Sequence, residues 1–240
     1  MTLLLKNVTY TFPKKEYPVI DKLYLTVQQG EFVSLIGKSG TGKSTILKLI
    51  TGLLTADEGE ISLYKKPVTL GDVGYMPQKD LLFPWRTILD NIMIGAEIQK
   101  EIKLSKEDAR SWLKKVGLKD YEQAYPNQLS GGMRQRVAFL RTLLTEKDVL
   151  LLDEPFGALD SITKKEMQAW LLSIWQELDK TIIFITHDLE EACYLSDRII
   201  LLKDDRTIEE TTVPLPRPRY QEMLHSQILL ELRKELEKKI

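Results

Sequence analysis

Two clusters of residues in this chain have the types and the spacing for phosphate chemistry. The first is Gly37-Lys-Ser-Gly-Thr-Gly-Lys43-Ser44, which fits the pattern GxxxxGK[ST]. Its glycines let the backbone curl until successive N–H groups point inward, the geometry that holds an anion. A lysine at the end of such a loop reaches the β- and γ-phosphates of a nucleotide, and the hydroxyl beside it is a hard oxygen ligand for Mg²⁺. By chance the pattern turns up in roughly one chain in a hundred of this length, with Gly near 7%. The second cluster is Asp153-Glu154, which closes the apolar run Val149-Leu-Leu-Leu. The first acid after such a strand holds Mg²⁺, commonly through a water, and the second can polarise an attacking water as general base. An acidic pair ending a strand can also be a solvated turn, but the phosphate loop upstream favours the chemical reading.

Both clusters need rigid elements behind them. Glu31-Phe-Val-Ser-Leu-Ile36 runs straight into the glycines, and a helix-forming stretch follows. Similar apolar runs occur at Val149 to Leu152, Thr181 to Ile185 and Ile199 to Leu202. Near-continuous apolar runs of this length read as parallel strands buried on both faces, with helices crossing between them. A helix over 162–178 fits that scheme, placing Met167, Trp170, Leu171, Ile174, Trp175 and Leu178 on one face as core. Ahead of the loop, Leu3 to Leu5 and Val19 to Val27 read as strands, linked through Pro13 and Pro18. From about 87 to 147 the pattern turns helical. There Ser105-Lys-Glu-Asp108 makes a capping-box-like start and Gly117 a stop. After Pro214-Leu-Pro-Arg-Pro-Arg219 a last helix is expected to carry Leu224, Ile228, Leu232, Leu236 and Ile240 on one face. Its other faces mix acid and base, which suits docking on protein rather than lying on a membrane.

The bulk numbers narrow the function classes. Lys+Arg 34 against Asp+Glu 35 leaves a net charge of -1, so no basic excess is available to neutralise nucleic-acid phosphates. The lone Cys193 can make no intrachain disulfide, and it reads as a small buried hydrophobe on the helix after His187. The N-terminus turns polar too early for a signal peptide. No apolar run approaches the roughly 18 residues of a membrane span. A cytosolic protein whose membrane role comes through a partner is the expectation.

Leu129-Ser130-Gly131-Gly132-Met133-Arg134-Gln135-Arg136, shortly before the acidic strand, resembles the signature motif of ATP-binding cassettes. That family's other elements follow in order. Gln78, after Tyr75-Met-Pro, resembles the Q-loop glutamine; Ala158-Leu159-Asp160 resembles the D-loop; His187, in Ile185-Thr-His-Asp188, matches the switch histidine. Phe12 is the best match to the aromatic that stacks on adenine, with Tyr10 the weaker candidate. A lone histidine is more often structural, and His225 reads as surface, but His187 sits at a strand end beside the phosphate-loop strand. Lys38 stands where many family members carry proline, and the Pro-Gly turn often found over 203–213 is missing.

The resemblance covers about residues 3 to 205, and it implies a great deal. The fold would be a P-loop NTPase (RecA-like) α/β core on a parallel sheet, with an N-terminal antiparallel β subdomain and an inserted helical subdomain. Within one ABC ATPase domain over 1–240, residues 1–86 and 148–205 would form the core. Residues 87–147 would form the helical signature subdomain, and 206–240 the tail and last helix. Glu154, His187, Lys43 and Gln78 would be catalytic. Phe12, Gly37, Ser39, Gly40, Thr41, Gly42, Lys43, Ser44, Thr45, Ser130, Gly131 and Gly132 would bind ATP, and Ser44, Gln78 and Asp153 would hold Mg²⁺. A Ser-Gly-Gly turn opening a helix is an anion site with no evident use in a chain that already cradles its phosphates elsewhere. The family's answer is that it caps the γ-phosphate bound to a second copy, so that two nucleotides are sandwiched in a homodimer.

Leu81-Leu-Phe-Pro-Trp-Arg-Thr-Ile-Leu-Asp-Asn91 after the glutamine, with Leu-Pro-Arg-Pro-Arg near the end, looks most like cassettes of nitrate, sulfonate, taurine and thiamine-precursor importers. That branch implies integral membrane permease subunits, an extracytoplasmic solute-binding protein and a place on the cytoplasmic face of the membrane. No nucleic-acid partner is expected. An exporter cassette, or a soluble ABC ATPase acting on DNA or ribosomes, is the alternative; the soluble kind usually needs long coiled coils or two cassettes in one chain. Leu81 to Trp85 put five apolar residues in a row. Packing at the junction of core and helical subdomain is one reading of them, and a surface groove for the permease's short helix is the other.

Overall fold

The structure, a computed structural model, describes residues 2–99 and 102–240. Its centre is a six-stranded sheet. β3 (Phe32–Ile36), β6 (Gly74–Met76), β7 (Val149–Asp153), β8 (Thr181–Ile185) and β9 (Arg198–Leu202) run parallel in the spatial order β9-β3-β8-β7-β6. β10 (Ile208–Thr212) adds antiparallel to β9 at one edge. The apolar runs become strands because each side chain has a core to enter on either face. Phe32, Ile36, Leu150, Leu152, Ile182, Phe184, Ile199 and Leu201 point into one hydrophobic cluster. Their neighbours Val33, Leu35, Val149, Leu151, Ile183, Ile185, Ile200 and Leu202 point into another. Successive residues of a strand face opposite ways, so a strand covered on both faces loses polar alternation.

The second cluster is closed by α1 (Lys43–Ile50) and by a four-stranded antiparallel sheet in the order β2-β1-β4-β5. Its strands are β1 (Leu3–Tyr10), β2 (Ile20–Val27), β4 (Glu58–Leu63) and β5 (Lys66–Pro67). β1 is longer than the apolar run Leu3 to Leu5 predicts. Its register against β2 shifts between Leu5 and Val8, and Asn7 adopts a φ of 52° there. Such a bulge breaks the alternation that marks a strand in sequence.

The first cluster is covered by α2 (Ile88–Ile98), α3 (Lys106–Lys115), α4 (Gly131–Leu143), α5 (Ser161–Leu178), α6 (Leu189–Leu195) and α7 (Gln227–Glu237). The expected cap of α3 is present in both directions between Ser105 and Asp108. Gly117, at φ 70°, ends the helix as Leu118 N donates back to Leu113 O at 2.8 Å. On α5, Met167, Leu171, Ile174 and Trp175 are buried and Trp170 packs against the core, but Leu178 is exposed. The helix closes on Asp179 in the left-handed region.

α7 departs from the predicted face. Leu224, Leu232 and Leu236 are buried as expected, whereas Ile228 and Ile240 are exposed and Leu229 is buried instead. Leu224 belongs to a separate 3₁₀ turn, and Ser226 caps a new helix from Gln227, with Leu229 N donating to its hydroxyl. A strict spacing of four overshoots the 3.6-residue turn, so Leu229 takes the place of Ile228 on the face of Leu232 and Leu236, and Ile240 lies past the helix end at Glu237. The face Leu229, Leu232 and Leu236 packs into the chain's own core beside α6. Among the described residues, no helix is long and apolar enough to cross a membrane.

Candidate active site

The strand order places four loops side by side. β3, β8, β7 and β6 are successive neighbours and parallel, so their C-terminal ends line one edge. The glycine-rich loop leaves β3, His187 follows β8, Asp153-Glu154 ends β7 and Gln78 follows β6. Ligands of open parallel sheets bind at that edge. A cleft of about 460 Å³ opens there, lined by Phe12, Val19, Gly37, Ser39, Gly40, Gly42, Lys43, Ser44, Thr45, Gln78, Glu154 and His187.

The loop is shaped for close approach. Gly37 has φ 142°, and a Cβ there would collide with the carbonyl oxygen of Leu202. Gly42, at φ 102°, begins α1 with no side-chain cap, which leaves the first N–H groups of that helix for a ligand. Lys43 is buried, and its Nζ donates to Gly37 O at 2.7 Å and Lys38 O at 2.6 Å. Burial pushes its pKa down, against the pull of Glu154 and Asp153. Thr41 does not line this cleft. Its hydroxyl donates to Lys38 O at 3.0 Å, and it lines an adjoining hollow with Phe12 and Tyr17. The Lys38 side chain points outward to Asp204 at 2.8 Å.

Asp153 is buried, and the neighbouring Ser44 side chain favours its charged form. Burial raises its pKa and the charge of Glu154 adds to that, while Ser44, Lys48 and Lys43 oppose it. The donor set of Ser44, Asp153 and the Gln78 amide is all hard oxygen and includes a single carboxylate, as suits Mg²⁺ held jointly with phosphates. No group of three or more His, Cys, Asp or Glu among the described residues could hold a metal by itself. Glu154 sits at φ 50°. One of its oxygens, Oε2, accepts from Gln78 Nε2 at 3.0 Å and lies 3.6 Å from His187 Nδ1. Glutamate, glutamine and histidine thus meet over the loop. Phe12 is 37% exposed and faces the cleft, whereas Tyr10 is 7% exposed and packs edge-on behind it at 5.1 Å. This geometry favours Phe12 over Tyr10 as the stacking ring.

Ser130, Gly131 and Gly132 do not line that cleft. Ser130 caps α4, its hydroxyl accepting from Met133 N at 3.2 Å. A Cβ on Gly132 would come within 3.0 Å of Leu159, so the turn lies close against the 158–159 segment. Sequence reasoning assigned no role to Gln135, one turn into α4. Its Nε2 donates to Glu154 O at 2.9 Å and its Oε1 accepts from Ala158 N at 2.9 Å, tying the glycine turn to the acidic strand. Its partners lie 19 and 23 residues away, so no periodicity in the sequence points to this role.

Beyond Gln78 lies a larger groove of about 770 Å³, lined by Leu53, Pro77, Leu81, Phe83, Ile94 and Arg141 among others. It shares Ser44 and Gln78 with the cleft and adds Asp153. Arg141 of α4 donates to Asp80 O at 2.6 Å and Leu81 O at 2.7 Å, and Arg134 pairs with Asp80 at 2.9 Å. Leu81 is 60% and Trp85 71% exposed, but Leu82 is 8% exposed and belongs to the core cluster. The run Leu81 to Trp85 is therefore divided between the two readings: Leu82 packs into the core at the junction, while Leu81, Phe83 and Trp85 stay exposed.

Comparison with known proteins agrees with this layout. The ABC transporter family profile matches residues 20–157. The formylaminopyrimidine import ATP-binding protein ThiZ of Halalkalibacterium halodurans is 43% identical, over 99% of this chain and 94% of its own length. The aliphatic sulfonates import ATP-binding protein SsuB of Bacillus cereus is 39% identical, over 98% of this chain and 94% of its own. The dimeric post-hydrolysis structure of the ATP-binding cassette MJ0796 with ADP and Pi superposes with a TM-score of 0.82. It is 32% identical, over 89% of this chain and all of that one. The chain belongs to the ABC transporter family and is one of its ATP-hydrolysing cassettes.

Proposed function

We propose that this cassette powers uptake of a small organic solute of the sulfonate or pyrimidine-precursor class, on the cytoplasmic face of a membrane, beneath separate permease subunits. Relatives named as import ATP-binding proteins for such solutes, at 39–45% identity, support the class. A solute-binding protein on the far side completes the assembly. Residues 1–86 and 148–205 act as the nucleotide-binding core, 87–147 as the signature subdomain and 206–240 as its tail.

In the working unit two copies sandwich two ATP molecules. The N–H groups of residues 37–45 cradle the phosphates, Lys43 places its charge beside them and Phe12 stacks on the base. Ser44, Asp153 and Gln78 would hold Mg²⁺ together with the phosphates, and the ion would supply charge neutralisation for phosphoryl transfer. Glu154 accepts the proton of the attacking water. His187 and Gln78, both touching the Glu154 carboxylate, fix its position and sense the terminal phosphate. Ser130, Gly131 and Gly132 serve the partner copy. The observation that carries this reading is the separation in the monomer: the phosphate machinery meets in one cleft, and the signature turn lies outside it.

Copurification from membranes is the deciding experiment, with mass spectrometry of what comes along. A permease and a solute-binding protein are expected. A ribosomal or DNA-bound partner instead would overturn the importer reading.

A further inference from the structure

We propose that Glu191, paired with Lys164, is a positioning residue that sets where His187 stands over Glu154. The proposal rests on the reading of His187 as a working part of the site.

Glu191 lies on α6, four residues after His187, with a side chain only 6% exposed. Both carboxylate oxygens are occupied: Oε2 accepts from the Thr186 hydroxyl at 2.6 Å, and Oε1 faces Lys164 Nζ at 2.8 Å. The same Thr186 hydroxyl accepts from Asp188 N at 3.0 Å. Asp188 in turn caps α6 through Glu190 N at 2.9 Å, and its other oxygen meets Lys164 at 3.3 Å. Both neighbours of His187 are thus fastened to one buried carboxylate and one lysine. The imidazole itself is 72% exposed, and its recorded polar contact is Glu154 at 3.6 Å. A side chain so exposed takes its position from the backbone that carries it, and here that backbone is held from both sides.

Lys164 makes the arrangement more than a helix cap. It stands in the first turn of α5, which Asp160 caps through Ile162 N and Thr163 N at 3.1 Å each. The 157–160 segment that enters α5 is the one Gln135 ties to Glu154. The pair therefore yokes the loop holding His187 to the segment on the other side of the glutamate. Burying a carboxylate is costly unless it is paired, and a buried pair adds little net stability against an apolar replacement. Its use here is geometric. Burial lowers the pKa of Lys164, but hydrogen bonds and charge from Glu191 and Asp188 outweigh it and leave the ammonium firmly protonated.

The test is steady-state ATPase of the full chain carrying Glu191→Ala, Glu191→Gln or Thr186→Val, each with His187 and with His187→Ala, alongside ATP affinity. A displacement of about 1 Å can cost on the order of 100-fold in rate. Glu191→Ala is expected to lower kcat at least tenfold, with ATP affinity within about threefold, because His187 acts after binding. Glu191→Gln, which still accepts from Thr186, should recover most of that loss. With His187→Ala the Glu191 substitution should cost nothing further, since residues acting as a unit are non-additive. Equal fractional losses in both backgrounds, or unchanged kcat in Glu191→Ala, would overturn the proposal while leaving the site reading intact. If Glu191→Ala does not fold, Thr186→Val carries the same comparison. Unimpaired turnover in His187→Ala would remove the site reading, and the proposal with it.

Discussion

α1 and α4 both open on glycine-rich turns, and they are finished in opposite ways. α1 starts at Gly42 with no side-chain cap, and its first turn lines the cleft with Lys43, Ser44 and Thr45. α4 is capped by its own Ser130, stands outside that cleft and packs its glycines beside Ala158 and Leu159. An uncapped N-terminus keeps its donors for a ligand, and a capped one has used one of them internally. The lesson is one of division. The core gathers the groups proposed to hold and cleave a phosphate, while the helical block presents a small, glycine-lined turn outside this chain's own cleft.

The largest expected effect comes from breaking the core half alone. Glu154→Gln removes the proposed general base and keeps a side chain able to bond with Gln78. Turnover should fall by roughly 10² to 10⁴ while ATP still binds. Size-exclusion chromatography with ATP should then show a stable dimer, since the product that opens it no longer forms. Undiminished turnover would take the base role away from Glu154.

Much of that core half was legible in the sequence. The phosphate loop, the acidic pair and His187 each end an apolar run, and such runs mark strands whose neighbours can be inferred. β10 left no such trace: Ile-Glu-Glu-Thr-Thr is half-exposed and pairs antiparallel at an edge. Gln135 and Glu191 were illegible for another reason. Their partners lie 19 and 27 residues away for Glu154 and Lys164, and polar contacts of that kind have no periodicity. One position of the α7 face was misread because a spacing of four drifts off a 3.6-residue helix, which puts Leu229 rather than Ile228 inside.

A second experiment asks whether the helical half acts on another copy. Lys43→Ala should lose nucleotide affinity, because it removes the charge opposite the phosphates. Ser130→Arg should fill the glycine turn and bar a partner's nucleotide. Mixed together, the two variants allow one intact composite site, built from the loop of the Ser130→Arg chain and the turn of the Lys43→Ala chain. ATP-driven association is expected in the mixture and in neither parent, read by size-exclusion chromatography or light scattering. Full ATPase activity from a monomeric Ser130→Arg chain would abolish the division.

The smallest effect concerns the seam where the two halves meet, and it separates two neighbouring leucines. Leu82 is in the core cluster with Met76, Ile88 and Leu89, so truncating it to Ala should cost about 2–5 kcal/mol of stability. Leu81, 60% exposed, lines the groove with Phe83 and Ile94, and Arg141 holds its carbonyl from the helical side. Leu81→Glu should therefore leave the melting temperature and ATP affinity of the isolated cassette nearly unchanged. Because the introduced carboxylate would be buried without a partner at such an interface, it should still weaken copurification with the permease by on the order of 30-fold. Gln78 borders both the groove and the phosphate cleft, so a segment held against Leu81 would feel its movement. If Leu81→Glu copurifies as well as the parent chain, the permease is held elsewhere, and the seam joins the two halves without transmitting anything between them.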